Sequence, residues 1–154
     1  MFLDPPALRP VCDFIVELDL ILEMGTNSAG QRRIIPIVGG KVEGERLNGE
    51  ILCLGADWQT VHSDGLADLD ARYAIRTDDG AVIEVRNSAI RHGPPEVMAR
   101  VAAGEDVDPS LYYMRGHLRL ETGDPRYDWV NRALFVCAGG RRAASVILSI
   151  WELG

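Results

Sequence analysis

One carboxylate in this sequence has the surroundings expected of a general acid or base. Asp57 follows an apolar run that begins at Ile51 and ends at Ala56, so its side chain is expected to lie partly out of water. Burial disfavours the charged form of a carboxyl group and raises its pKa, which would suit Asp57 to proton transfer near neutral pH. The alternative is that Asp57 forms an ion pair with Arg33 or Arg72 and only holds two strands in register.

Polar side chains also interrupt faces that are otherwise apolar. Four of them are expected to point inward from different segments: Tyr73, Asn87, Tyr112 and Asn131. Buried amides and phenols need hydrogen-bond partners, which an internal network or a bound ligand would supply. An apolar pocket with a few converging polar groups is the usual form of a small-molecule site. We therefore predict one cavity lined by these four side chains, with Asp57 in reach directly or through one water.

The predicted chemistry is proton transfer on a small organic carbonyl or phenolic substrate, as in an isomerase, cyclase or tautomerase. Asp57 would be the acid or base, and Tyr73 or Tyr112 would donate a hydrogen bond to a carbonyl or enolate oxygen. The expected substrate contacts come from five further side chains: Arg33, Trp58, Arg72, Asn87 and Asn131. The indole would stack on the ligand, the amides would orient it, and the guanidinium groups would bind a carboxylate or tune Asp57.

The sequence lacks the common motifs of metal and nucleotide chemistry. It contains no GxSxG, HExxH, GxGxxG or phosphate-binding loop. The three histidines, His62, His92 and His117, lie on separate segments without the i,i+4 spacing of a helical metal site. We therefore expect neither a metal nor a cofactor.

The segments that must position these residues alternate apolar and polar side chains with a period of two, which is typical of half-buried strands. The clearest run spans 12–24. Seven others follow it, at 31–38, 50–62, 69–77, 81–88, 111–122, 130–138 and 143–153. About eight strands joined by short turns predict an all-β fold, one antiparallel β-barrel in a single domain over 1–154.

Two local signals refine this barrel. The sequence Asp78-Asp79-Gly80 predicts a hairpin turn, because Asp and Gly tolerate the positive φ of tight turns. Pro94-Pro95 predicts the start of a short helix over 94–104, the only substantial helix of the chain.

Composition and charge limit the classes of partner. The 154 residues are 47% hydrophobic and 25% charged, which is typical of a soluble domain. A net charge of −7 without a dense basic patch argues against nucleic acid as a partner. With neither a signal peptide nor an apolar run of roughly 20 residues, we expect a cytoplasmic protein that does not bind membranes. Three cysteines without a CxxC pair predict no disulfide, and each lies in an apolar run typical of a buried thiol.

The order of several short segments resembles one known family. These are R-R-I-I-P-I-V-G-G-K-V-E-G (32–44), G-A-D-W-Q (55–59), T-D-D-G-A-V-I-E-V-R-N (77–87) and W-V-N (129–131). From about residue 11 to its C-terminus the chain is similar to the small bacterial and fungal β-barrels known as domain of unknown function 3237. The resemblance implies a calycin-like barrel and no settled activity.

Two other functions fit the same residues. The first is a non-catalytic barrel that carries or senses an apolar ligand in the manner of lipocalins. The second is a structural subunit whose barrel is filled by side chains and whose surface forms a homo-oligomer.

Overall fold

The computed structural model describes residues 1–154 and contains nine strands, one α-helix and two 3₁₀ segments. The strands are β1 (Leu8–Leu18), β2 (Leu22–Asn27), β3 (Gly30–Glu43), β4 (Gly49–Val61), β5 (Ala67–Thr77), β6 (Val82–His92), β7 (Tyr113–Glu121), β8 (Leu134–Arg141) and β9 (Ser145–Leu153). Helix α1 spans Pro95–Ala102, and the 3₁₀ segments span Pro109–Leu111 and Pro125–Arg132. None of the helices is long and apolar enough to cross a bilayer.

Eight of the strands close into an antiparallel barrel, which confirms the predicted fold class. The strand order is β1-β9-β8-β7-β6-β5-β4-β3, and the second half of β3 pairs back with β1. Strand β2 lies outside this ring and pairs with the first half of β3. The closing seam needs a glycine at Gly40, where φ is +137° and a Cβ atom would collide with the carbonyl oxygen of Ile15.

The run over 12–24 forms two strands rather than the single strand predicted. The pairing of β1 with β3 slips between Glu17 and Leu18, and the Asp19 backbone N–H donates to the carbonyl of Pro36. The Asp19 carboxylate also accepts from the backbone N–H of Leu20 at 2.7 Å. Such local side-chain bonds compete with a strand ladder, so the alternation continues in the sequence while the strand is interrupted.

The segment 130–138 also differs from the prediction. Its first residues belong to the 3₁₀ segment 125–132, and β8 begins only at Leu134. Asp124 starts the 3₁₀ segment by accepting from the Arg126 backbone N–H, and Pro125 follows at the first helical position. Val130 from this segment is fully buried and closes one end of the barrel. The predicted turn at 78–80 and the predicted short helix are both confirmed.

The opposite end of the barrel holds the residues of chemical interest and is called the site end below. Strands β4, β6 and β8 end there, and β3, β5 and β7 begin there. Helix α1 lies at this end because it connects β6 to β7. Between the two ends the inward faces form an apolar core whose fully buried members include Phe14, Ile35, Ile75, Ile83, Leu118 and Phe135. The site is therefore built on rigid, paired strands.

All three cysteines are free, but only two are buried. Cys12 and Cys137 lie in the core, whereas Cys53 is exposed where the pairing of β4 with β5 is interrupted between Ile51 and Gly55. The expectation that Cys53 is a buried thiol is therefore wrong. Burial raises the pKa of Cys12 to about 12 and that of Cys137 to about 11.

These thiols give a first prediction. The thiolate is the reactive form, so the native protein should react rapidly with a disulfide reagent such as Ellman's reagent at Cys53 alone. Denaturation in guanidinium should expose all three thiols, and dithiothreitol should leave the melting temperature unchanged because there is no disulfide to reduce. A second rapid thiol in the native state would contradict the burial of Cys12 and Cys137.

Candidate functional site

Three of the predicted polar residues meet in one cavity at the site end. Asp57 from β4, Tyr73 from β5 and Asn87 from β6 line a space of about 40 Å³ inside the barrel. Their strands are neighbours, and all three side chains point inward. The remaining walls are apolar: Val16, Leu18, Ile37, Leu69, Ala71, Ala89, Met114, Val146 and Leu148. The cavity thus has apolar walls and a few polar groups, and two of the four side chains predicted to line it, Tyr73 and Asn87, do so.

The Asp57 carboxylate is only half satisfied by protein groups. Its Oδ2 atom accepts a hydrogen bond of 2.6 Å from Nε2 of Gln59. Its Oδ1 atom is shielded from solvent and has no hydrogen-bond partner. Burial raises the pKa of Asp57 above its ordinary value. The Gln59 amide, the positive charges of Arg91 and Arg33 and the nearby Asp70 backbone N–H act in the opposite direction. A raised pKa brings the carboxyl group closer to the pH range in which it could exchange a proton.

The predicted ion pair of Asp57 with Arg33 or Arg72 does not form. Arg33 instead donates from Nε to Oε1 of Gln59 at 2.8 Å, so its link to Asp57 runs through a buried amide. Arg72 lies on the outer surface, where its Nε is 3.2 Å from Oε1 of Glu84.

Tyr73, which lines the same cavity, has an unpartnered hydroxyl. The residue is buried, and its hydroxyl oxygen has no hydrogen-bond partner. Burial raises the pKa of Tyr73 far above its ordinary value of 10, and the nearby Cys137 and Asp57 add to this effect. The phenol therefore keeps its proton at every physiological pH and can serve as a hydrogen-bond donor.

Asn87 has only a weak partner. Both its amide atoms lie 3.9 Å from Sγ of Cys137, and a thiol is a poor hydrogen-bonding group. Opposite it, Gly116 leaves room for the amide, since a Cβ atom at this position would lie 2.6 Å from Oδ1 of Asn87. The amide therefore retains capacity to bind a ligand group.

Three arginines come together at the site end. Arg33, Arg91 and Arg141 lie on the inward faces of β3, β6 and β8, and none has a carboxylate within 4.0 Å. Arg91 is only 6% exposed, and its Nε atom has no partner. Burial and the charges of Arg33 and Arg141 lower the pKa of Arg91 to about 10. We call these three residues the arginine cluster.

Tyr112 lies beside the arginine cluster rather than in the cavity. Its side chain is buried, and its hydroxyl oxygen accepts from the backbone N–H of Arg141 at 2.7 Å. The Tyr112 hydroxyl thus already has a protein partner, whereas the Tyr73 hydroxyl has none.

Three other predicted site residues lie away from the cavity, which corrects the sequence interpretation. Trp58 is 46% exposed, and Arg72 is exposed as well, because each follows an inward-facing residue on its strand. Asn131 belongs to the 3₁₀ segment at the opposite end. There its Oδ1 accepts from the Thr122 backbone N–H at 2.9 Å, and its Nδ2 donates to the Thr122 carbonyl at 2.8 Å. Asn131 is a structural cap.

Sequence reasoning missed Gln59, Arg91 and Arg141. All three continue an inward face by steps of two: Gln59 follows Asp57, Arg91 follows Asn87 by four residues, and Arg141 follows Cys137 by four. Extending the alternation past the last apolar residue of each strand would have placed them at the site end.

The histidines do not cluster. Nε2 of His62 lies 2.6 Å from Oδ2 of Asp68, and His92 stacks on Tyr113 with 5.0 Å between ring centroids. No group of three or more His, Cys, Asp or Glu side chains is placed to hold a metal ion.

Comparisons with known proteins agree on one family. The family model described as protein of unknown function (DUF3237) matches residues 6–153. A UPF0311 protein from Rhodopseudomonas palustris strain TIE-1 is 45% identical over 131 residues, which are 85% of this chain and 84% of that protein.

Solved structures share the whole barrel. The conserved protein of unknown function RPA1785 from Rhodopseudomonas palustris superposes with a TM-score of 0.95 at 38% identity, covering 99% of this chain and 100% of that one. A beta-barrel like protein from Acinetobacter baumannii AYE gives a TM-score of 0.87 at 44% identity, with both chains fully covered. An enzyme from Penicillium herquei has a TM-score of 0.75 at 19% identity, covering 100% of this chain and 98% of that one, and this likeness concerns the fold alone.

Proposed function

This chain belongs to the DUF3237 family, and from that premise we propose that its barrel catalyses proton transfer on a small organic carbonyl compound, as a cofactor-independent isomerase, cyclase or tautomerase. One observation carries the proposal: a carboxylate oxygen and a phenolic hydroxyl, both buried and both without partners, belong to two residues that line the same small cavity. Unpaired buried polar groups cost free energy of folding, so they are retained where a ligand completes them.

The reaction follows from the two groups. Asp57, as a carboxylate, removes a proton from the carbon next to the carbonyl, and the electron pair moves onto the carbonyl oxygen. The Tyr73 hydroxyl donates a hydrogen bond to this oxygen as its negative charge develops, while Asn87 orients the substrate. Asp57 then returns the proton to a different atom of the same molecule. No electron leaves the substrate, and the product is an isomer.

The cavity volume bears on the alternatives. A space of about 40 Å³ is far smaller than the 300–1,000 Å³ of a typical ligand pocket, so it does not support a lipocalin-like carrier of a large apolar molecule. A space of this size holds one or two waters or a few ligand atoms. It is therefore large enough for the carbonyl group of a substrate, with the rest of the molecule outside the cavity. The third alternative is a structural subunit whose barrel is filled by its own side chains. The unpartnered atoms of Asp57, Tyr73 and Arg91 count against it, because such a barrel would satisfy its buried polar groups internally.

The likeness to the Penicillium herquei protein adds analogy only. That protein is described as an enzyme, so a barrel of this shape can support catalysis. The choice of proton transfer rests on the residues of this chain.

The direct test is hydrogen exchange in heavy water. We expect the protein to accelerate deuterium incorporation next to the carbonyl in at least one member of a panel of small ketones, 2-oxo acids and 3-oxo acids, followed by ¹H NMR. The Asp57→Asn variant is the control for exchange outside the site. Exchange across the whole panel at the rate of buffer alone would contradict the proposal.

A further inference from the structure

We propose that the arginine cluster is a binding site for the carboxylate of a small organic acid, so that the substrate class is an oxo acid or a related carbonyl compound that carries a carboxylate. The substrate part of this statement rests on the proposed function, whereas the anion site stands on the cluster alone. Neither Arg91 nor Arg141 was part of the site predicted from the sequence.

The positive charge of the cluster exceeds the negative charge near it. Three guanidinium groups lie at one end of the barrel, and each lacks a carboxylate within 4.0 Å. The nearby carboxylate, Asp57, accepts from Gln59, forms no ion pair with any of them, and brings one negative charge against three positive ones. Buried charges in proteins are ordinarily paired, because the desolvation of an unpaired ion is expensive. An anion from outside would complete the cluster.

Arg91 has a donor without an acceptor. The residue is 94% buried, and its Nε–H points to no protein acceptor. Exposed arginines either form ion pairs, such as Arg72 with Glu84 and Arg126 with Asp124, or, like Arg119, stand in solvent. Hydration by bulk solvent is not open to the buried Arg91.

The cluster lies next to the cavity. Gln59 accepts from Arg33 and donates to Asp57, so one buried amide joins the cluster to the cavity. An acid bound to the cluster therefore places its adjoining carbons toward Asp57 and Tyr73. A planar carboxylate matches the fork of a guanidinium group with two parallel hydrogen bonds.

The test compares benzoate with benzamide, which have nearly the same shape and differ in charge. We expect benzoate to bind at least 10-fold more tightly than benzamide by calorimetry at pH 7 and to raise the melting temperature. Arg91→Met should abolish this preference, and the unliganded variant should melt no lower than the wild type, because an unpaired buried charge has been removed. Arg72→Met, on the outer surface, is the matched control and should bind benzoate like the wild type.

Equal affinity for benzoate and benzamide, or an unchanged preference in Arg91→Met, would overturn the anion site. If Arg91→Met does not fold, Arg33→Met and Arg141→Met provide the same comparison. Tighter binding of inorganic phosphate than of benzoate would overturn the carboxylate class. Asp57→Asn should keep the benzoate preference, so loss of proton exchange with retained binding would count against the proposed function alone.

Discussion

Asp57→Asn is expected to lower the rate of proton exchange next to the substrate carbonyl by about 10²–10⁴-fold, the usual contribution of a general acid or base. Asparagine keeps the volume of the side chain and can still accept from Gln59 through its amide oxygen, so the barrel should remain intact. The titrating carboxyl group is lost. The measurement is the deuterium exchange rate of wild type and variant on the same compound.

The stability of Asp57→Asn distinguishes a catalytic role of Asp57 from a structural one. Burial raises the pKa of Asp57 in the folded protein, so the folded state binds this proton more tightly than the unfolded chain does. As the pH rises from the ordinary Asp value of 3.8 through the folded pKa, ionisation of Asp57 therefore lowers the free energy of unfolding. Asp57→Asn should then melt no lower than the wild type at pH 7, and any gain should shrink toward pH 4.

A structural role would give the opposite sign. Breaking a buried ion pair by removing one partner destabilises a protein by about 3–5 kcal/mol. Such a loss in Asp57→Asn at pH 7 would support the alternative that Asp57 only holds strands together. Asp70→Asn provides the control, because Asp70 is an exposed carboxylate on the neighbouring strand and should change neither exchange nor stability.

Much of the barrel can be predicted because each strand has one buried and one solvated face. The period-two pattern identifies the strands, and Asp78-Asp79-Gly80 identifies a turn, since both depend on local chemistry. The interruption after Leu18 does not show in the pattern because the alternation of apolar and polar residues continues through it. It depends on the Asp19 side-chain hydrogen bond and on the slip in pairing with β3. The predicted strand over 130–138 begins four residues before β8 does. The apolar residue Val130 is compatible with a strand, but it lies in the 3₁₀ segment that closes one end of the barrel.

The candidate site, too, could be predicted from the sequence only in part. The sequence places Tyr73 and Asn87 inside the barrel because each continues an apolar face, and Asp57 because it follows an apolar run. Trp58 and Arg72 were wrongly predicted to contact the substrate. Each directly follows an inward-facing residue, and neighbouring residues on a strand point to opposite faces. The arginine cluster was missed because charged residues near strand ends are ordinarily solvated, and only the assembled barrel shows that Arg91 is buried.

The two tyrosines named as candidate donors should now behave differently. Tyr73→Phe is expected to lower the exchange rate by about 10²–10³-fold, the usual effect of removing one donor to a developing oxyanion. It should not lower the melting temperature, because the hydroxyl that it removes is buried without a partner. A drop in activity without a loss of stability is the result expected of a group whose partner is the substrate.

Tyr112→Phe is the matched comparison. Its hydroxyl accepts from the backbone N–H of Arg141, so its removal leaves a partly buried donor unpaired and should destabilise the protein by roughly 1–3 kcal/mol. The exchange rate should fall less than in Tyr73→Phe, because the Tyr112 hydroxyl does not line the cavity. The reverse pattern, with exchange abolished in Tyr112→Phe at unchanged stability and retained in Tyr73→Phe, would assign the oxyanion donor to Tyr112. It would also move the reacting carbonyl from the cavity to the arginine cluster.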